Sequence, residues 1–195
     1  RDVERSRGLG DVYKRQAEER TVMEFGSRRA QGYDGAIYGA RASIIGGCDS
    51  TACTIADKYF DIPAVGTMAH SWVQLFDTEY EAFKSWAETY PDNCSLLIDT
   101  YNVLKSGLPN AIKVFDKILS PLGKRPIGIR IDSGDITYLT KKCRKALDAA
   151  GYSDCKIIVS NSLDEHIIRD VLAQGACIDA CLLYTSPSPR DLSTS

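Results

Sequence analysis

The sequence predicts an α/β fold: part of an irregular β/α barrel, with parallel strands and crossover helices, incomplete at both ends. Three observations predict it. Short apolar runs of strand length alternate with longer segments of helical period. The strand runs are continuously apolar, as in parallel strands covered by helices on at least one face. Polar residues gather at the end of each run, where parallel β/α architectures place their reactive groups.

The strand candidates are 63–68 (PAVGTM), 94–101 (CSLLIDTY), 126–132 (PIGIRID), 156–161 (KIIVSN) and 176–180 (ACIDA). Helices are expected over 36–45, 51–59, 71–89, 104–120, 135–150 and 163–174. In the third, Trp72, Phe76, Tyr80, Phe83, Trp86 and Tyr90 recur every three or four residues, so the aromatics form one stripe for the core. No internal repeat or low-complexity stretch falls between residues 17 and 180.

The two ends read differently. One set of codons for Asp11 to Gln16, reverse-complemented and shifted by one base, encodes Cys-Leu-Leu-Tyr-Thr-Ser, the sequence of Cys181 to Ser186. Two protein segments have no physical reason to be each other's antisense. Residues 1–16 and 181–195 are therefore expected to be translated sequencing adapter, leaving 17–180 as a β/α-barrel catalytic domain fragment.

The formal charge is −2, from 24 Lys and Arg against 26 Asp and Glu. With no basic run, that balance argues against a nucleic-acid or membrane-surface partner. No run approaches the roughly 20 apolar residues needed to span a bilayer. Cysteines 48, 53, 94, 143, 155 and 177 are scattered, without a Cys-x-x-Cys pair or clustered histidines, which suits a reduced, cytoplasmic compartment.

The polar strand ends supply Thr67 and His70 after the first run, and Asp99 and Tyr101 after the second. The third adds Arg130, Asp132, Ser133 and Asp135, and the fourth Ser160, Asn161 and Ser162. Asp132 and Ser133 also suit a helix cap. Capping leaves Arg130 unexplained: two residues before Asp132 on a strand, it projects to the same side. Ser162 and Glu165 fit a capping box, and a helix start preceded by small polar residues also fits a phosphate seat. His166, without a ligand-spaced partner, reads as a structural or surface histidine. His70 has Asp99 at a neighbouring strand end; a carboxylate on one ring nitrogen leaves the other as nucleophile or base. In EFGSRRAQG (24–32), arginine forks suited to phosphate or carboxylate adjoin an aromatic face, although the same residues also suit surface and core.

Taken in order, EFGSRRAQG, GGCDST, GTMAHSWV, LIDTYN, GIRIDSGD and VSNSLDE resemble the nicotinate phosphoribosyltransferase family over essentially all of 17–180. The resemblance implies an enzyme of NAD biosynthesis that joins nicotinate to 5-phosphoribosyl 1-diphosphate. ATP hydrolysis would drive the step through a phosphohistidine, with Mg²⁺ as the cation. It implies His70 as the phosphorylated residue and Asp99 as the carboxylate that orients it. Phe25 matches the aromatic that stacks on the pyridine, and Arg28 and Arg130 match arginines flanking base and phosphates. Gly66, Thr67 and Ser71 line the nicotinate and phosphate pocket. Asp132 and Asp135 lie near the ribose hydroxyls and Mg²⁺, and Ser160 and Asn161 at the ribose phosphate. Ser50 matches the position where nicotinamide-using relatives carry an Asp, and a hydroxyl tolerates the nicotinate carboxylate that an Asp repels.

The likeness stops at GACIDA, before the glycine-rich phosphate loop the family carries on its next strand, and it lacks the family's N-terminal domain. The resemblance thus implies a homodimer for the full-length protein and little turnover for this chain alone. Two rival readings are a nicotinamide- or quinolinate-using relative and a non-catalytic β/α protein that binds a sugar phosphate.

Overall fold

The computed structural model describes residue 17, residues 20–160 and residues 163–183. The chain divides into two compact units: Arg1–Gly66, Ser160–Asp170 and Ala180–Ser195 form the first, and Thr67–Val159 with Val171–Asp179 the second. Both have the grammar of an incomplete β/α barrel, parallel strands joined by crossover helices, as the sequence predicts.

In the first unit, β1 (Thr21–Glu24) lies between two parallel neighbours, β2 (Ser50–Thr51) and β6 (Ala180–Leu183). Helix α1 (Gly32–Ile45) starts earlier than expected, and α2 (Thr54–Phe60) follows β2. Ile37 and Ala40 of α1 pack on Cys53, Ala56 and Ile62, the unit's buried cluster. β1 and β2 were not expected: four and two residues are too few to show a period.

Two expected strands of this region differ. The segment 63–68 is not a strand; it makes one parallel bridge, Thr51 to Ala64, and runs on irregularly. Pro63 has no N–H to give, although its carbonyl accepts from Thr51 N at 3.0 Å. The last strand is displaced from 176–180 to Ala180–Leu183, so it uses Cys181 to Leu183, residues that the sequence reading set aside. All four of its residues are buried, as a continuously apolar run between partners requires.

In the second unit, β3 (Ser95–Leu97), β4 (Gly128–Ile131) and β5 (Lys156–Val159) pair in parallel, with β4 in the middle. Leu96, Leu97, Ile129, Ile131 and Ile157 are fully buried among Phe83, Phe115, Leu119 and Leu147 of the covering helices. The helix expected over 71–89 is two: α3 (His70–Val73) and α4 (Glu79–Thr89). Thr78 and Glu81 break it by forming a capping box, Thr78 Oγ1 accepting from Glu81 N at 3.2 Å. The aromatic stripe survives the break, Trp72 packing on Phe76 at 5.2 Å and edge-on to Trp86 at 5.7 Å between centroids.

The expected helix 104–120 is a mixed one: α5 (Leu108–Val114) sits between π-helical turns at Val103–Gly107 and Phe115–Leu119. Pro109, in its first turn, interrupts the α hydrogen-bond ladder. Helix α6 (Ile136–Ala149) returns the chain to β5, and α7 (Glu165–Ala173) follows. Residues 176–179 run beside β5, with Asp179 N donating to Ile157 O at 2.9 Å and Asp179 Oδ2 accepting from Ile157 N at 2.8 Å.

Candidate functional site

Seven polar residues of the second unit meet beyond the ends of β3 and β4. His70 is the first residue of α3 and so does not leave a strand; the irregular segment from Pro63 carries it there. Asp99 and Thr100 lie just past β3, in the loop that continues its direction, with Ile98 N donating to Arg130 O at 3.1 Å. Arg130 is the third residue of β4, and Asp132 and Ser133 follow that strand.

The ring of His70 has its partners on both sides. Nδ1 lies 3.2 Å from Thr100 Oγ1, and Nε2 lies 3.4 Å from Asp132 Oδ2 and 3.9 Å from Asp99 Oδ1. The expected carboxylate does face one ring nitrogen, Asp99 standing on the Nε2 side at ion-pair distance and beyond hydrogen-bond reach, while Thr100 is the partner of Nδ1. Asp99 is engaged elsewhere, its Oδ2 accepting from Asp132 N at 3.0 Å and from Ser133 Oγ at 2.6 Å. Its other oxygen, Oδ1, is buried without a hydrogen bond.

Arg130 completes the cluster as its spacing predicts. Its Nη2 donates to Asp132 Oδ1 at 3.0 Å, and its Nη1 to Thr67 Oγ1 at 2.8 Å. Exposure grades across the group: the Asp99 side chain is 1% exposed, Arg130 11%, Asp132 22% and His70 38%. A guanidinium and a carboxylate are thus held below an imidazole that reaches solvent. Such a set has the chemistry to bind an anion through Arg130, and a partly exposed imidazole has the chemistry to act as nucleophile or base once one ring nitrogen is released from its partner.

Asp135 also has a structural task. It is the N-cap of α6, Oδ1 accepting from Tyr138 N at 2.9 Å, so the cap is neither Asp132 nor Ser133. Ser71 is exposed on α3 beside His70. Cys94, Cys143 and Cys155 lie in the same unit, and burial pushes each thiol up to about 12. They are neutral at ordinary pH, which removes them as thiolate nucleophiles or ligands.

The remaining expected residues belong to the first unit. Phe25, half-buried, directly follows β1, and Arg28, exposed, lies on the short 3₁₀ turn after it, Ser27–Arg29. Glu24, which the sequence reading did not single out, sets that turn: its buried carboxylate accepts from Gly26 N and, at 2.5 Å, from Thr51 Oγ1. Ser50 is buried on β2, in register with Met23. Its neighbour Asp49 clamps β1, Oδ2 accepting from Val22 N and Asp49 N donating to Val22 O, both at 2.8 Å. Gly66 is exposed, with open space where a Cβ would stand. Ser160 is buried just past β5, while Asn161 and Ser162 lie outside the described residues. His166 is exposed on α7.

A parallel α/β chain that gathers histidine, arginine and carboxylates beyond its strand ends has the layout of a β/α-barrel active site. Comparison with known proteins makes the class particular. The profile of the nicotinate phosphoribosyltransferase (NAPRTase) family matches residues 21–175, and the chain belongs to this family. It is 52% identical over 158 residues to nicotinate phosphoribosyltransferase of Bacillus subtilis, covering 81% of this chain and 32% of that protein. The Mycobacterium tuberculosis nicotinate phosphoribosyltransferase is 41% identical over 160 residues, covering 82% and 34%. The chain thus spans about a third of these relatives' length. Among solved structures, human nicotinic acid phosphoribosyltransferase superposes with a TM-score of 0.82 at 26% identity, covering 91% of this chain and 46% of that one. A nicotinate-nucleotide pyrophosphorylase from Pyrococcus furiosus, at 24% identity and a TM-score of 0.78, shares the fold over 92% and 45%.

Proposed function

We propose that this chain carries the phosphoryl-accepting part of a nicotinate phosphoribosyltransferase site, with His70 as the residue that takes the γ-phosphoryl group of ATP. The reading is supported by one observation above others: the imidazole of His70 is held at both nitrogens and remains partly open, directly above an Arg130–Asp132 pair.

In the transfer the ring takes the tautomer with its proton on Nδ1, donated to Thr100 Oγ1; the Nε2 lone pair, then no longer engaged with Asp132 Oδ2, forms the bond to phosphorus, and the bond to the ADP oxygen breaks with its electrons on that oxygen. The ring proton stays on Nδ1. Arg130, tied to Thr67 and Asp132, binds and orients the anionic donor and the phosphoribosyl diphosphate that follows. Departure of diphosphate leaves cation-like character on the ribose, and a phosphate on His70 together with Asp132 would place negative charge beside it.

Among the described residues no cluster of three or more His, Cys, Asp or Glu has the geometry to hold a metal ion. The oxygens of Asp132 already face Arg130 and His70, and Asp135 Oδ1 caps α6. In this reading Mg²⁺ arrives with the diphosphate as part of the substrate, which supplies most of its oxygen ligands. When bound, it neutralises the leaving group.

For the pyridine, Phe25 offers a ring face and Arg28 a counter-charge to the nicotinate carboxylate. Asp49, its carboxylate on the β1 backbone, leaves the uncharged hydroxyl of Ser50 as the neighbour a pyridine carboxylate tolerates. The experiment is a chimera: residues 21–175 replace the matched segment of the Bacillus subtilis relative. ATP-stimulated formation of nicotinate mononucleotide is expected, with nicotinamide and quinolinate turned over poorly. Loss of the ATP stimulation in His70→Ala supports the reading, and its retention overturns it.

A further inference from the structure

We infer that Thr100 is the positioning residue of His70, its hydroxyl holding Nδ1 so that Nε2 is the nitrogen presented to a phosphoryl donor. The inference rests on the reading of His70 given above, and it adds a hydroxyl on Nδ1 to the carboxylate expected beside the ring.

An imidazole has two nitrogens, and the partner of one decides what the other can do. Among the described residues, the hydroxyl of Thr100 and the carboxylates of Asp99 and Asp132 face the nitrogens of this ring. Thr100 is the one of these on Nδ1, at 3.2 Å. Both carboxylates lie on the Nε2 side, at 3.9 and 3.4 Å. Asp99 acts one step back. By accepting from Asp132 N and Ser133 Oγ it pins the loop after β3 to the end of β4, and Thr100 is the next residue of that loop. On the far side, Asn102 Oδ1 accepts from Lys105 N at 2.8 Å and caps the following helical turn. The Thr100 backbone is thus fixed one residue from one anchor and two from the other.

A hydroxyl suits the position chemically. It both donates and accepts, so it keeps the ring oriented by Nδ1 in either tautomer and accepts from Nδ1 in the form whose lone pair is on Nε2. Once Nε2 has bonded to phosphorus, the proton remains on Nδ1, and Thr100 Oγ1 is there to accept it. A methyl group in its place leaves the ring without a partner on that side.

The test uses the full chain with ¹⁵N-labelled histidine. The sequence has only two histidines, so two rings are observed, and His166 serves as the internal control. In Thr100→Val the Nδ1 resonance of His70 is expected to shift while both His166 resonances stay in place. Thr100→Ser, which keeps the hydroxyl, is expected to restore the original position, and Asp99→Asn to shift Nδ1 by less than Thr100→Val does. The inference is overturned if Thr100→Val leaves Nδ1 unmoved, or if Asp99→Asn shifts it as far as Thr100→Val does. No turnover is read, so phosphoryl transfer to His70, measured separately, can fail while the positioning role stands, and the reverse.

Discussion

At the scale of single residues, Asp99 shows how a site residue acts through its neighbours. Its buried carboxylate satisfies a backbone N–H of Asp132 and the hydroxyl of Ser133, and removing it strands both. Asp99→Ala is expected to cost about 2–3 kcal/mol in urea unfolding, the range for hydrogen bonds to a charged group, while Asp99→Asn keeps an acceptor and costs less. The Arg130–Asp132 pair was legible in the sequence, because residues two apart on a strand share a face whatever the rest of the fold does. Thr100 was not. It adjoins Asp99, and nothing in the sequence says which of two consecutive loop residues turns toward the ring. Glu24 escaped notice for a related reason: a glutamate beside an aromatic reads as surface until its partners, Gly26 and Thr51, are seen around it.

At the scale of elements, the segment after β3 depends on a close approach. A Cβ at Gly107 would stand 1.8 Å from the carbonyl oxygen of Ile98, a backbone atom that cannot move aside without disturbing the exit of β3. Gly107→Ala is therefore expected to destabilise by about 3 kcal/mol or more, at the upper end for overpacking, and to lower the thermal midpoint accordingly. The helices were legible as helical periods, their interruptions less so. Thr78-x-x-Glu81 is a capping box in plain sequence, but the aromatic stripe runs through it without a change of phase, and the period hides the break. Likewise the apolar run 63–68 looks like a strand, yet a proline at its start and a glycine near its end leave it one bridge.

At the scale of the whole molecule, parallel architecture and family could be read from the sequence because they rest on many residues at once. Alternating apolar runs and six ordered motifs survive local errors in boundaries. The buried thiols give a molecular property that can be measured. Cys94, Cys143 and Cys155 titrate from an ordinary 9.0 to about 12 in the folded chain. The unfolded chain releases these protons first as pH rises. Their contribution to stability is therefore complete below about pH 9 and declines toward pH 12, by at most about 1.4 kcal/mol per pH unit for each thiol. The urea midpoint is expected to be lower at about pH 10 than at about pH 8.

The central claim is that His70 accepts a phosphoryl group, and the most direct measurement is incubation of the chimera with γ-labelled ATP. The account predicts protein-bound label that is stable to alkali, lost in acid, and absent from His70→Ala. Label of the same acid lability and amount in that variant would contradict it.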